Sequence, residues 1–325
     1  MKIIFFGTPL FASKILEDLF LKNEKIISVV TLPDKEKGRG KKISSTSVKE
    51  KAKELKIKCY TPKKINDNIF INILKEEKAD LFIVVAFRFL PKEIFNIPRY
   101  GTVNLHASLL PEYRGAAPIN RVLINGEKHT GITTFMINEK IDTGKIILQE
   151  KINISKNLTA AQLHNDMIDK GSLLISQTIN GIKKNNLIYK TQDDKIASYA
   201  PKLNKEIAKI NWNEPAIKIH NLIRGLSPYI SERNYLKDIS IFPSAYFNLQ
   251  VSKNKDLRVK IINSKLEKNK KHTQNSIESD NKSFLKINIK DGSINILEIQ
   301  MPGKKIMDIK TFLSGNKVNP NWKIV

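Results

Sequence analysis

Cysteine is nearly absent from this 325-residue sequence, which contains only Cys59. One cysteine cannot form an intrachain disulfide, and alone it cannot build a cysteine-based zinc or iron–sulfur site. Long apolar runs are also missing. The run at residues 3–6 is too short for the core of a secretory signal, and no run reaches the ~18–20 residues of a membrane helix. We therefore expect a cytoplasmic protein that is neither exported nor associated with a membrane.

Acidic residues are scarce beside basic ones. The chain has 32 Asp and Glu against 56 Lys and Arg, a net charge of +24, and its isoelectric point is near 9.8. Residues 201–325 carry as much net positive charge as residues 1–200, so the charge is denser in the C-terminal part. This excess favours a polyanionic partner such as nucleic acid. Drift in an AT-biased genome also enriches Lys, Ile and Asn, so charge alone does not decide.

The rest of the composition is typical of a globular protein, with 41% hydrophobic residues and a length that suits two domains of ~100–200 residues. Up to about residue 86, short apolar runs alternate with apolar residues at helical spacing, which predicts a Rossmann-like α/β domain with a parallel-rich sheet. A polar stretch interrupted by Pro201 predicts a linker over residues 189–206. The predicted domains therefore cover residues 1–188 and 207–325.

The second domain has a different pattern. Short β-like runs at residues 245–251, 258–262, 284–289 and 294–299 predict a small β-barrel. Residues 264–283 are rich in Lys, Asn and Ser and have no apolar period, so we expect an exposed loop there.

Polar and small residues crowd the segment that follows a predicted strand at residues 102–105. Because side chains alternate along a strand, Asn104 and His106 are expected on one side of its carboxyl end, where parallel sheets bind ligands. An amide donor and an imidazole can together hold an oxyanion, and the imidazole can move a proton near neutral pH. Asp142, in a loop between predicted strands at 131–136 and 145–151, would orient the imidazole or act as a base. Each piece alone also fits a structural role, since Asp-Thr-Gly is a common turn.

Other features exclude familiar sites. The first strand leads into Gly7-Thr8-Pro9 and not into Gly-x-Gly-x-x-Gly, which disfavours a nicotinamide dehydrogenase. Residues 38–42, Gly-Arg-Gly-Lys-Lys, lack the spacing and the Ser or Thr of a Walker loop and fit a cationic finger better. Cys59 is expected as a small core residue. No metal site is predicted, since these histidines lack partners at ligand spacing: His129, His164, His220 and His272.

Taken in order, the motifs resemble those of the methionyl-tRNA formyltransferase family over nearly the whole chain. They are Phe6-Gly7-Thr8-Pro9, Pro33-Asp34 leading to Gly38-Arg39-Gly40-Lys41-Lys42, Asn104 through Pro118, Asn125-Gly126-Glu127, Thr130-Gly131, Ile141-Asp142-Thr143-Gly144 and Pro302-Gly303-Lys304-Lys305.

The resemblance implies a formyltransferase domain followed by a barrel of the OB type. It also implies that the formyl group of 10-formyltetrahydrofolate passes to the α-amine of methionyl initiator tRNA, for translation initiation. The amine would attack directly, because an α-amine with a pKa of ~7.7–8.0 is partly neutral at pH 7. Asn104 and His106 would stabilise the tetrahedral oxyanion. Asp142 would keep His106 charged and help move the amine proton to the leaving nitrogen.

The resemblance implies binding residues as well, on a monomer that uses no metal. The folate contacts would be Ser108, Leu109, Leu110 and Pro111, with the pterin near Phe87, Phe89 and Leu90. The tRNA contacts would be Arg39 at the unpaired stem terminus, Lys41 and Lys42 on phosphates, and Lys304 and Lys305 along the acceptor arm.

Two segments depart from the family's pattern. Residues 86–91, Ala-Phe-Arg-Phe-Leu-Pro, are one residue shorter than in many relatives and lack a glycine. Residues 230–242 are an insertion between Tyr229 and the Pro243-Ser244-Ala245-Tyr246 that is expected to follow it.

Three alternatives stay open. Glycinamide ribonucleotide formyltransferases are usually single-domain, which leaves the chain beyond about residue 200 unexplained. Amino-sugar nucleotide formyltransferases have a second domain, but they differ in the segment equivalent to residues 113–118 and lack the basic finger. An RNA-binding module with a decayed enzymatic half is opposed by the intact Asn104, His106 and Asp142.

Overall fold

The computed structural model describes residues 1–37, 42–238, 241–253, 255–268, 275–319 and 321–325. The chain forms two compact units that interleave along the sequence. The first consists of Met1–Gly115, Thr130–Ile152 and His164–Tyr199, and the second of Ala116–His129, Asn153–Leu163 and Ala200–Val325. This division differs from the boundaries at residues 188 and 207, which stay a prediction.

Strands and helices alternate through the first two hundred residues. In chain order they are β1 (Ile3–Gly7), α1 (Leu10–Leu21), β2 (Ile26–Val30), β3 (Lys35–Lys37), β4 (Lys42–Ser44), α2 (Ser47–Glu54), β5 (Lys58–Tyr60), α3 (Asn68–Glu76), β6 (Leu81–Val85), α4 (Lys92–Phe95), β7 (Thr102–His106), β8 (Arg114–Gly115), α5 (Pro118–Ile124), β9 (His129–Met136), β10 (Ile146–Asn153), α6 (Ala160–Lys184) and β11 (Tyr199–Ala200).

The rest of the chain is mostly β-structure. Its elements are α7 (Ala216–Gly225), β12 (Tyr229–Ser231), β13 (Asn234–Tyr235), β14 (Ala245–Ser252), β15 (Lys255–Glu267), β16 (Ile277–Ser279), β17 (Leu285–Ile289), β18 (Gly292–Gln300), β19 (Met307–Asp308), α8 (Ile309–Gly315) and β20 (Lys323–Ile324).

The first unit is built on a seven-stranded sheet with the order β10-β9-β7-β6-β1-β2-β5. The five strands from β7 to β5 are parallel, whereas β9 runs antiparallel to β7. Every residue of β1 and β6 is buried, because helices cover both faces of a parallel sheet and the strands must be apolar throughout. The predicted parallel-rich α/β domain is confirmed, and β9 makes its sheet mixed.

The second unit contains an antiparallel, nearly closed barrel with the strand order β16-β17-β18-β15-β14-β20, and β19 pairs with β18. Alternate residues point inward, as the pairs Phe247 with Val259 and Leu285 with Ile296 illustrate. These apolar side chains share a core with residues of α7 and α8. The predicted barrel is confirmed, and the architecture is consistent with an OB-like fold.

The exposed loop predicted over residues 264–283 is wrong at both ends. Strand β15 continues to Glu267, where Leu266 pairs with Ile294 of β18, and β16 pairs with β17. The polar residues that obscured the strand pattern form ion pairs: Glu267, at the end of β15, has its Oε2 2.6 Å from Nζ of Lys286 on β17. Because an ion pair between strands takes the place of apolar contacts here, the alternation of apolar residues that marks a strand in the sequence is missing.

The insertion at residues 230–242 contributes the hairpin β12–β13, apart from residues 239–240, which lie outside the described residues. The Tyr229 and Tyr235 rings lie 6.2 Å apart, and the Tyr235 hydroxyl hydrogen-bonds the carboxyl group of Glu298 on β18. Glu298 is 6% exposed, and its Oε2 has no hydrogen-bond partner within the described part of the chain. Burial raises the pKa of Glu298 to about 7.

Helix α7 carries a second buried polar group, His220. The His220 Nε2 lies 3.2 Å from the Lys156 carbonyl oxygen, and its Nδ1 lies 3.2 Å from Ser264 Oγ. One turn further along, Arg224 donates to the carbonyls of Ser155 and Leu158. Burial lowers the pKa of His220 to about 4 and that of Arg224 to about 10. These side chains tie residues 155–158 to α7 within the second unit.

Candidate active site

Asn104 and His106 lie on the same face of β7, as strand alternation predicts. Asn104 pairs with Phe135 and His106 with Thr133 of the antiparallel neighbour β9. Asn104 is half-buried and His106 is 6% exposed. An amide and an imidazole therefore stand side by side at the carboxyl end of a central strand.

The His106 ring is oriented by one backbone group. Its Nε2 lies 2.9 Å from the carbonyl oxygen of Tyr113, and because a carbonyl can only accept, Nε2 carries a proton and donates. The other ring nitrogen, Nδ1, faces Asp142 at 3.6 Å from Oδ2. A second proton on the ring would therefore sit between Nδ1 and the carboxylate.

Asp142 lies between β9 and β10, in the predicted loop, with a φ of +54°. Its Oδ2 accepts a hydrogen bond of 2.8 Å from the Gly115 N–H. Two residues later the loop passes so close to β9 that a Cβ on Gly144 would stand 1.6 Å from the Met136 carbonyl oxygen. Only glycine fits there, so residue 144 helps to fix the path of the chain at Asp142.

The segment predicted to hold folate is anchored to β9 and β10. Thr133 Oγ1 donates to the Ser108 carbonyl over 2.7 Å and accepts from the Leu110 N–H. Gln149 Nε2 donates to the Leu110 carbonyl over 2.9 Å. Leu110 itself is buried, and the peptide bond between it and Pro111 is cis. The backbone of this segment is therefore held beside His106, with Leu109 half-buried against Gly131.

The predicted pterin segment follows β6. Ala86, the first residue of this segment, has a φ of +47°. The Phe87 ring packs on Phe6 at 5.7 Å, Phe89 is 57% exposed and Leu90 is buried in the core. The Arg88 Nη2 donates to the Pro62 carbonyl, and burial lowers the pKa of Arg88. Of the three predicted pterin residues, only Phe89 presents a large exposed ring.

Only some of the predicted tRNA contacts lie in the described part of the chain. Lys304 and Lys305 are exposed in the turn after β18, where Gln300 Nε2 donates to the Lys304 carbonyl. Arg39 and Lys41 lie outside the described residues, and Lys42 belongs to β4 by its backbone alone.

Two further side chains, which sequence reasoning missed, support the site. Arg114 is 3% exposed and donates to Gln192 Oε1 from Nε and Nη2 at 3.0 and 2.8 Å. Gln192 in turn donates to the Asp142 carbonyl. The one signal for Arg114 was its place inside the segment 104–118, whereas Gln192 stands alone in a polar stretch assigned to a linker.

Other candidate groups do not gather here. Across the described ranges, no three His, Cys, Asp or Glu side chains come together as metal ligands would. Cys59 on β5 is half-buried, and burial raises the pKa of its thiol, which disfavours a nucleophile. None of the described helices is both long and apolar enough to cross a membrane.

Comparison with family models defines the class of protein that has this fold and site. Residues 1–179 match the formyl transferase model, and residues 202–317 match the model of the formyl transferase C-terminal domain. The first match covers more than half of the chain, so the protein is a formyltransferase.

Curated relatives narrow the class. The methionyl-tRNA formyltransferase of Flavobacterium johnsoniae is 43% identical over 325 residues, which is 100% of this chain and 99% of the relative. That of Thermodesulfovibrio yellowstonii is 44% identical over 318 residues, 98% of this chain and 96% of the relative. The chain belongs to the methionyl-tRNA formyltransferase family.

Solved structures share the fold at lower identity. WlaRD, a sugar 3N-formyl transferase solved with dTDP and 5-N-formyl-THF, has a TM-score of 0.63 at 24% identity, covering 94% of this chain and 99% of that one. HypX from Aquifex aeolicus, solved with tetrahydrofolic acid, has a TM-score of 0.62 at 14% identity, covering 98% of this chain and 49% of that one.

Proposed function

We propose that this enzyme transfers the formyl group of 10-formyltetrahydrofolate to the α-amine of methionyl initiator tRNA by direct attack of the amine. The observation that carries the proposal is the convergence of Asn104, His106 and Asp142, with Nδ1 of His106 and Oδ2 of Asp142 only 3.6 Å apart. An uncharged donor can stabilise the oxyanion of acyl transfer to an amine, and an imidazole beside a carboxylate can move the proton.

The roles follow from the chemistry of each group. Asn104 donates an N–H to the formyl oxygen as negative charge develops there, and it cannot titrate. A protonated His106 stabilises the same charge through its own positive charge, since its Nε2–H donates to the Tyr113 carbonyl and its Nδ1 faces Asp142. Asp142 stabilises the imidazolium through Nδ1 and assists transfer of the amine proton to the leaving nitrogen. Loss of one donor of this kind lowers the rate by ~10²–10³.

The donor site is assigned to two segments of the first unit. The donor supplies an electrophilic formyl carbon when bound. The backbone of Ser108, Leu109, Leu110 and Pro111, fixed by Thr133 and Gln149, offers peptide groups of set direction for hydrogen bonding. The exposed Phe89 ring offers a flat apolar surface for a heterocycle, with Phe87 and Leu90 packed behind it. An anchored polar backbone beside an exposed aromatic ring suits a folate.

The acceptor contacts rest on charge. The chain carries +24, and the tRNA is a polyanion, so lysines in the turns of the barrel favour its phosphates. Lys304 and Lys305 are assigned to the acceptor arm. Arg39 is assigned to the unpaired stem terminus, with Lys41 and Lys42 on neighbouring phosphates. We further propose a cytoplasmic monomer, with chemistry that requires no metal because a neutral amine is itself the nucleophile.

The test is a formyl-transfer assay with 10-formyltetrahydrofolate as donor and three acceptors: charged initiator tRNA, free methionine and an amino-sugar nucleotide. We expect transfer to the tRNA alone, and none with His106→Ala. Transfer to the amino-sugar nucleotide would replace the proposed acceptor. Tight tRNA binding without any transfer would mean an RNA-binding protein whose enzymatic half has decayed.

A further inference from the structure

Gln192 is a single buried polar side chain in an exposed stretch. It is 9% exposed, whereas Thr191 and Asp193 on either side are exposed. The backbone reaches this place because Lys190 exchanges two hydrogen bonds with Ile146 at the start of β10, at 2.8 and 2.9 Å. Burial of an amide is unfavourable unless its hydrogen bonds are made, so we expect the side-chain amide of Gln192 to have hydrogen-bond partners.

Both ends of the Gln192 amide are hydrogen-bonded. Nε2 of Gln192 donates to the carbonyl oxygens of Asp142 and Gly144, at 2.9 and 2.8 Å. Oε1 accepts two hydrogen bonds from Arg114. Because a carbonyl only accepts and a guanidinium only donates, the amide can be placed in one orientation alone. An amide with both N–H groups directed at one loop is a tether for that loop.

Arg114 fixes the tether from the other side. Its guanidinium also donates to Asp194 Oδ1 at 2.8 Å, and the Asp194 side chain is 79% exposed. The backbone next to Arg114 contacts both partners of the His106–Asp142 pair, through the Tyr113 carbonyl and the Gly115 N–H. One short segment therefore reaches His106 directly and Asp142 both directly and through Gln192.

Gln192 binds the loop between β9 and β10, which is exposed just before Asp142. Residues 139–141 are exposed, and Asp142 adopts a left-handed φ, which is unfavourable for a residue other than glycine. The 3.6 Å between Nδ1 and Oδ2 is already longer than a hydrogen bond, so a small displacement of the loop would remove the interaction. Displacements near 1 Å in a catalytic group can lower rates ~10²-fold.

We infer that Gln192 is a positioning residue for formyl transfer, which sets the place of Asp142 relative to His106 through the two loop carbonyls. The inference rests on the proposed function for its kinetic readout. Gln192 acts through Asp142, and it needs no contact with either substrate.

Two variants separate the tether from general packing. Gln192→Glu keeps the side-chain volume and the oxygen that accepts both hydrogen bonds from Arg114, but it cannot donate to the carbonyls of Asp142 and Gly144. Gln192→Ala removes all four hydrogen bonds. We expect both to lower kcat about 10–100-fold with little change in the KM of the donor. The matched control is Gln162→Ala, which removes an amide that bonds Thr159 and Ile230 in the second unit and should leave kcat unchanged.

The decisive arm is a double-mutant cycle. In an Asp142→Asn background, Gln192→Ala should lower kcat less than about twofold, since a residue that acts through Asp142 has nothing left to position. A wild-type kcat for Gln192→Glu, or a full further loss in the double variant, would overturn the inference.

A structural measurement, which does not depend on enzyme activity, tests this inference separately from the proposed function. A crystal structure of Gln192→Glu should show the Nδ1–Oδ2 distance lengthened while Tyr113 still contacts His106. If the wild-type enzyme transfers no formyl group, the proposed function fails, and this distance alone then decides the role of Gln192.

Discussion

The Gly115 N–H donates to Oδ2 of Asp142 over 2.8 Å. The same carboxylate oxygen lies 3.6 Å from Nδ1 of His106, and the Tyr113 carbonyl holds the opposite ring nitrogen. Residues 113–115 therefore contact the His106 imidazole and the Asp142 carboxylate from one backbone segment.

Asp142→Asn keeps the shape of the side chain and its place beside Gly115 but removes the negative charge to which the proposed mechanism assigns the stabilisation of the imidazolium. We expect kcat to fall ~10²–10³-fold while the KM of the donor changes little, because Asp142 is assigned no contact with folate. Steady-state kinetics with initiator tRNA measures both constants. Asp169→Asn, an exposed aspartate on α6, is the matched control, and a rise in donor KM without loss of kcat would contradict the assignment.

Arg39→Ala tests the basic finger. Removal of one arginine contact to RNA costs about 1–3 kcal/mol, so the KM of the tRNA should rise about 5–100-fold with the donor KM unchanged. Arg99→Ala serves as control, since Arg99 is exposed and its guanidinium stacks on Tyr100, 4.4 Å from the ring centre. Unchanged tRNA kinetics in Arg39→Ala would show that the finger assignment is wrong.

His220 should make the second unit acid-sensitive. Its pKa is about 4 in the folded chain against an ordinary value of 6.5, so the unfolded chain binds more protons between these values. The free energy of unfolding should therefore fall as the pH falls from 6.5 to 4, by up to about 3 kcal/mol. Urea midpoints across this range measure the slope, which should shrink in His220→Gln and persist in the exposed control His129→Gln.

Glu298 should act in the opposite direction. Burial raises its pKa from 4.5 to about 7, so the folded chain binds more protons in this window and stability falls as the pH rises through it, by up to about 3 kcal/mol. Glu298→Gln should unfold at higher urea than wild type above pH 7 and lose this dependence. The exposed Glu206→Gln should behave as wild type. An unchanged pH dependence in Glu298→Gln would contradict the buried state of this carboxyl.

Local chemistry made much of the site predictable. The two-residue period of β7 places Asn104 beside His106 without any knowledge of the rest of the chain. Asp142 could be proposed because an acid between two predicted strands lies at a loop tip. Its distance from His106 could not, since that depends on Gly115, Gly144 and Gln192, which approach from separate segments.

The missed features are side-chain contacts across long stretches of chain. Gln192 and Arg114 are 78 residues apart, and a glutamine among Asp and Lys has no period that marks it as buried. The strand extension at Leu266 was missed for a related reason, because its neighbours Lys265 and Glu267 are polar. The domain boundaries, the folate contacts and the tRNA contacts stay predictions.

The interleaving of the two units also has a consequence for synthesis on the ribosome. Helix α5 belongs to the second unit, and Asn120 Nδ2 donates to the Gly225 carbonyl, which is 105 residues further along the chain. The N-terminus of the nascent chain emerges first, so α5 can pack against α7 only after α7 has been translated. The last segment of the first unit, in contrast, is complete at Tyr199. The three segments of the first unit are therefore all synthesised before the barrel strands, whereas residues 116–129 and 153–163 are synthesised before most of the second unit that they pack with.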